Sequence, residues 1–173
     1  MDFSLSEEQR MLQETVGKFV ADRYSLDQRK AYMAQSAGHD HAVAGELVDL
    51  GLTLVQIPEE QGGLGGDAFD AMVVGEALGP GLVLEPVMDV MTAVSALSGG
   101  RDDILEDGNS HTLGLYERGQ RYSLNPAITS VEGGKVSGTK TLVPHTAGTT
   151  HALVSAKENG QVGLYRVALS DAA

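Results

Sequence analysis

The periodicity of the chain changes once, near Asn109, and that change limits the possible folds more than any other feature. Before it, apolar residues recur at helical intervals. Ser4 and Glu7 have capping-box spacing, Phe3 is placed to staple the cap, and Leu12, Val16, Phe19 and Val20 share one face of a helix predicted from about Ser6 to Tyr24. A short helix is predicted over Leu26 to Ala34. Asp40 is the expected cap of a third, with Val43, Leu47 and Leu50 as its stripe and Gly51 as a left-handed stop. Asp67 is the expected cap of a fourth, with Phe69, Met72, Val73 and Ala77 on one side and Gly79-Pro80-Gly81 at its end. A fifth runs from about Pro86 to Leu97, carrying Val87, Met91 and Val94 on one face, and Asp102 to Asp107 adds a last short turn. After Asn109 the runs become short and β-rich: Thr112–Tyr116, Ala127–Val131, Lys135–Val136, Lys140–Val143, His151–Ala156 and Val162–Ala168. Glu132-Gly133-Gly134 and Glu158-Asn159-Gly160 separate them. Helices followed by strands imply an α+β, multidomain arrangement, with the strands meandering antiparallel, and not an alternating α/β sheet.

Charge marks the same boundary. Up to Ser110 there are 20 acids and 6 bases, a net of -14, and from His111 onward 4 acids and 6 bases, a net of +2. The total of -12 argues against nucleic acid as a partner, because such binding depends on Lys and Arg neutralising phosphates. The longest apolar neighbourhood, Met72 to Val94, is interrupted by Glu76, Glu85 and Asp89, so no membrane span is expected. The N-terminus is acidic where a signal peptide is basic and then apolar. With no cysteine, disulfides, thiolate metal sites and a cysteine nucleophile are excluded, and a cytoplasmic location is expected.

The candidate chemistry is sparse. PEEQGGLGGD, Pro58 to Asp67, is rich in glycine but lacks the Lys-Ser/Thr ending of a phosphate loop and the spacing of a dinucleotide fingerprint, and its acids would repel phosphate; it reads as a turn. His39 and His41 flank a helix start at a spacing that points them apart, which favours a solvated cap region over a metal pair. His111, His145 and His151 are scattered through the β-rich part. The acid pairs Glu59-Glu60 and Asp102-Asp103 read as solvated loops, and neither a GxSxG nor an SxxK motif is present. No metal site is expected, and neither acid pair is a good candidate for a base.

Taken together, several segments resemble the acyl-CoA dehydrogenase family. MDFSLSEEQRMLQETVGKFVADRY resembles its opening helix, LVDLGLTLVQIPEEQGGLGG its "LGL…PEEYGGLG" loop and VVGEALG its "EELG" helix, while EGGKVSGTKTLV, HALVSA and GQVGLYRV resemble "dGyxLnGxKxWIT", "Adxxlvxart" and "Gislflv" of its middle β-domain. ERGQRYSL, Glu117 to Leu124, is similar to "EPQxRYDL" of the small-subunit type associated with pimeloyl-CoA and related dehydrogenases. The resemblance implies an N-terminal all-α helical bundle over 1–110, a partial antiparallel β-barrel domain over 111–173, and no C-terminal helical domain, the part of the family fold that supplies the glutamate base. It also implies α,β-dehydrogenation of an acyl-CoA with FAD as hydride acceptor, and, the base lying in the C-terminal domain, no catalytic residue on this chain.

The departures are specific. Against the family's Y/F-x-x-T-E-P-x-A-G-S segment the chain offers Leu113 to Tyr122; Glu117 matches, Tyr116 takes the threonine position and Tyr122 that of the serine facing substrate. Leu142, Val143 and Pro144 stand where W-I-T covers one flavin face, so stacking area, a hydroxyl and an N–H donor are lost. The resemblance thus marks Leu113, Leu115, Tyr116, Leu142, Val143 and Pro144 as the cofactor seat and Tyr122 as the substrate contact. It implies FAD for the complete enzyme and weak or no flavin on this chain. The expected role is a fragment or a non-flavin subunit that pairs with another acyl-CoA dehydrogenase-type subunit or with itself, with acyl-CoA as a ligand. The alternative is a self-associating scaffold module that binds no acyl-CoA.

Overall fold

In the computed structural model, which describes residues 4–97, 111–120, 122–147 and 149–171, α1 (Glu7–Arg23) takes its cap from Ser6 rather than Ser4. Two overlapping capping boxes are available in SLSEEQ, and a tertiary contact favours the second. The Ser6 hydroxyl accepts from the Gln9 amide, the Gln9 side chain accepts from the Ser6 amide, and Gln9 Nε2 also donates to Asp70 Oδ1 at 3.0 Å. The expected staple at Phe3, the turn over Asp102 to Asp107 and the pair Asp102-Asp103 lie outside the described residues.

The chain forms two compact units, Met1–Ser95 and Ala96–Ala173. In the first, α2 (Leu26–Met33), α3 (His41–Asp49), α4 (Ala68–Leu78) and α5 (Val87–Ala96) follow α1. Val16 and Val20 of α1 share one core with Val43 and Leu47 of α3, Val74 and Ala77 of α4, and Met91 of α5. Each fully buried Val, Leu or Met contributes roughly 1.5–3 kcal/mol. Two apolar residues expected in these stripes face water: Leu50, which caps α3 at its C-terminus, and Met72. Ala71, Val73 and Val74 fill the buried face of α4 in place of Met72. Asp40 and Asp67 cap α3 and α4 as expected. His39 departs from the solvated reading, being buried beside His41 with ring centroids 5.2 Å apart.

The glycine-rich loop folds back on the segment before it. The amides of Gly62 to Gly66 donate to carbonyls of Glu59, Pro58, Leu54, Ile57 and Val55 in turn, which occupies the donors a phosphate would need. A Cβ on Gly63 would stand 2.1 Å from the Ile57 carbonyl oxygen, so this crossing requires glycine.

In the second unit β4 (His151–Glu158) is central. β5 (Gln161–Ala168) pairs with it antiparallel along its length through a turn whose residues, Asn159 and Gly160, both have positive φ, as a two-residue hairpin demands. β1 (His111–Gly114) pairs with β4 in parallel, His111 opposite His151, and β2 (Ser130–Glu132) meets it in parallel at Lys157. β3 (Lys135–Ser137) closes an antiparallel hairpin with β2. The sheet is therefore mixed and, among the described residues, open, so neither an antiparallel meander nor a partial antiparallel barrel describes it. The 115–150 connection is long enough for the crossover that parallel pairing needs.

Two predicted strands are altered for local reasons. Lys140–Val143 makes only a bridge, Thr141 to Tyr116, because Leu142 turns to φ 56. The strand expected from Ala127 begins at Ser130, because the amides of Ala127, Ile128 and Thr129 are taken by the Glu117 carboxylate.

Candidate functional site

Beyond β1 the backbone runs to Glu117 and reverses at Arg118-Gly119, with the Gln120 amide donating to the Glu117 carbonyl at 3.1 Å and Gly119 at φ 81. The Thr141 amide donates to the Tyr116 carbonyl at 2.9 Å, which brings the 140–142 segment alongside. Between the two lies a cleft of about 810 Å³. Tyr116, Arg118, Gln120 and Tyr122 line it from one lip, and Thr141 and Leu142 from the other.

The lips have an unusual conformation. Tyr122 and Leu142 have φ of 59° and 56°, a region that bulky L-residues rarely occupy, and the two residues are 90% and 87% exposed. Large apolar side chains held out into solvent at strained backbone positions are a feature of binding sites.

Beneath the cleft, Glu117 is buried and saturated. One carboxylate oxygen accepts from the amides of Ala127 at 2.7 Å and Ile128 at 2.9 Å; the other accepts from the Thr129 amide at 2.9 Å, the Thr129 hydroxyl at 2.5 Å and Lys140 Nζ at 3.1 Å. Burial pushes its pKa up, but the hydrogen bonds from Thr129, Ile128 and Ala127 outweigh it and hold the group down to about 2. An anion held down by so many donors is a weak proton acceptor at neutral pH, and both of its oxygens are already engaged. Lys140 in turn donates to Ser155 Oγ at 3.0 Å, and Ser155 donates to the Leu115 carbonyl at 3.1 Å. Gly138, at φ 153, lets the chain pass this knot: a Cβ there would lie 2.6 Å from the Thr129 hydroxyl and 2.7 Å from its Cα.

Of the residues marked from sequence, Tyr116, Tyr122 and Leu142 come together in the cleft. Leu113 is half-buried in β1 opposite Leu153, the Leu115 carbonyl belongs to the lysine network, and Val143 and Pro144 are half-buried outside the cleft lining. The Pro144 carbonyl accepts from the Thr112 hydroxyl at 2.6 Å. Leu142 through Pro144 thus present an exposed alkyl group and a carbonyl already bonded to the Thr112 hydroxyl.

Sequence reasoning missed Lys140, Thr129 and Ser155. Lys140 was visible in EGGKVSGTKTLV; the other two become legible only once β4 stands beside the 115–117 segment. It also treated His111 and His151 as scattered, whereas parallel register stacks their rings 5.3 Å apart, and Arg166 Nε donates to His111 Nε2 at 3.0 Å. Among the described residues no cluster of His, Asp or Glu has metal-binding geometry, and no helix is long and apolar enough to cross a membrane.

Comparison with known proteins gives these observations a frame. The chain is 38% identical over 105 residues to acyl-CoA dehydrogenase IpdE2 of Mycolicibacterium smegmatis, a match that covers 60% of this chain and 34% of that one. Its fold is similar to a variant of the Tcur3481–Tcur3483 steroid ACAD, with a TM-score of 0.83 and 26% identity over 95% of this chain and 49% of that one. It is similar in fold also to the ChsE4–ChsE5 complex of Mycobacterium tuberculosis, with a TM-score of 0.83 and 23% identity over 99% of this chain and 50% of that one. The chain spans about a third of that curated relative and about half of each of the two solved chains. With residues 6–108 matching the acyl-CoA dehydrogenase N-terminal domain, the chain belongs to the acyl-CoA dehydrogenase family.

Proposed function

We propose that this chain is a non-flavin subunit of a heteromeric acyl-CoA dehydrogenase, contributing one wall of the acyl-CoA site while flavin and base reside elsewhere. The cleft carries the reading. Its exposed lips, Tyr122 and Leu142, supply apolar surface that excludes water from an acyl chain, and Arg118, exposed and without an ion-pair partner among the described residues, offers positive charge to the phosphates of coenzyme A. Glu117 is spoken for by its own hydrogen bonds and serves the frame of the site, not its chemistry. The domain division at about residue 110 and a cytoplasmic location belong to the same proposal.

The complexes named for two of the similar structures make another acyl-CoA dehydrogenase-type subunit the partner to test, and the steroid named for one of them makes a ring-bearing acyl-CoA the first substrate. The test is reconstitution. The chain alone, given FAD, an acyl-CoA and an artificial electron acceptor, is expected to give no turnover; with the partner it is expected to give turnover that Leu142→Asn lowers. Turnover by the chain alone contradicts the proposal. A self-associating module is distinguished by light scattering together with a thermal-shift titration, since a ligand that raises stability must bind the native state preferentially.

A further inference from the structure

We infer that Glu117 and Lys140 are positioning residues for the cleft: their buried pair pins both lips and so keeps Tyr122 and Leu142 presented to whatever binds there. Tyr122 lies between two points fixed by one carboxylate, residue 117 itself and the amides of 127–129 that the same group gathers. Leu142 follows Lys140 by two residues, and the intervening Thr141 amide is bonded to the Tyr116 carbonyl. The lysine spans the gap between the lips: its ammonium reaches Glu117 Oε1 at 3.1 Å, Ser155 Oγ at 3.0 Å and the Leu115 carbonyl at 3.5 Å, with its side chain 8% exposed.

Stability alone does not call for this arrangement, because well-packed apolar residues often replace a buried ion pair at no cost. What an apolar pair cannot do is gather three backbone amides and two lips around one point. Left-handed Tyr and Leu residues persist only where their surroundings over-determine them, and this network supplies that constraint at both.

The inference rests on the cleft being the ligand wall proposed above, yet lip rigidity is measured without ligand, so the two can fail separately. In the full chain, amide relaxation is expected to give order parameters of about 0.85 at Tyr122 and Leu142. In Lys140→Met both are expected to fall below about 0.6 while Leu47 and Leu153 stay near 0.85. Should Lys140→Met not fold, Ser155→Ala removes one of the lysine's acceptors and leaves the ion pair; a smaller drop confined to the same two residues is then expected. Lips already mobile in the parent, lips unchanged in the variant, or a loss shared equally with Leu47 and Leu153 would each overturn the inference. A thermal-shift titration of the parent with an acyl-CoA runs in parallel: no shift with loosened lips keeps the positioning role and removes the ligand reading.

Discussion

Lys140 Nζ stands 3.1 Å from Glu117 Oε1 with only 8% of the lysine and 2% of the glutamate side chain exposed, an ion pair out of reach of water. Removing one partner leaves the other charge buried. Lys140→Met is therefore expected to destabilise the β-unit by about 3–5 kcal/mol in urea unfolding. The double variant Lys140→Met, Glu117→Gln should recover part of that loss, and a double variant no more stable than Lys140→Met would show that the two charges are not coupled.

The Glu117 carboxylate, held down by its hydrogen bonds from Thr129, Ile128 and Ala127, sets a pH dependence. Because the pKa of Glu117 is about 2 in the folded chain against an ordinary 4.5, its contribution to stability is complete above about 4.5 and disappears as pH falls from there through about 2. Melting temperatures between pH 6 and pH 2 should fall along that window, and Glu117→Gln should flatten the fall. An equally steep profile in the variant would assign acid unfolding to other groups.

Glu85 is expected to behave in the opposite sense. It is buried, one oxygen accepts from the Asp40 amide at 3.2 Å and the other has no hydrogen-bond partner among the described residues; burial raises its pKa. A raised carboxylate costs stability above its folded pKa and is relieved as pH falls through that value. Glu85→Gln should stabilise the helical unit at pH 7 by about 1 kcal/mol, at the low end of the cost of a buried polar atom without a partner. The gain should vanish at acidic pH; a loss of stability at pH 7 would mean the charged form is well accommodated.

Gly138→Ala tests the geometry that carries the chain past Thr129. The new Cβ meets the Thr129 backbone at φ 153, so a cost above about 2 kcal/mol is expected. Gly133→Ala, also at positive φ but with open space around it, should cost only about 1 kcal/mol. Equal costs would mean the approach to Thr129 relaxes freely.

Much of the helical unit was legible because its information is local. Val16, Val20, Leu47 and Met91 announce buried faces by spacing, and Asp40 and Asp67 announce caps by type. Ser6 displaced Ser4 through a contact with Asp70, which lies far along the chain. The β-unit was legible at its hairpins, where Gly133-Gly134 and Asn159-Gly160 dictate the turn, and illegible where β1 pairs in parallel with β4. Nothing in the neighbourhood of His111 predicts that His151 will lie beside it. Tyr116, Tyr122 and Leu142, marked from sequence, meet at the cleft, but its frame was not legible, because Glu117 joins residues 127–129 and 140 only after the sheet has formed.

The most direct measurement is the flavin content, resolved by subunit, of the proposed heteromer once this chain has been reconstituted with a partner subunit. The account predicts FAD only on the partner, with none retained by this chain when it is isolated and dialysed against excess FAD. One FAD held per copy of this chain would contradict it.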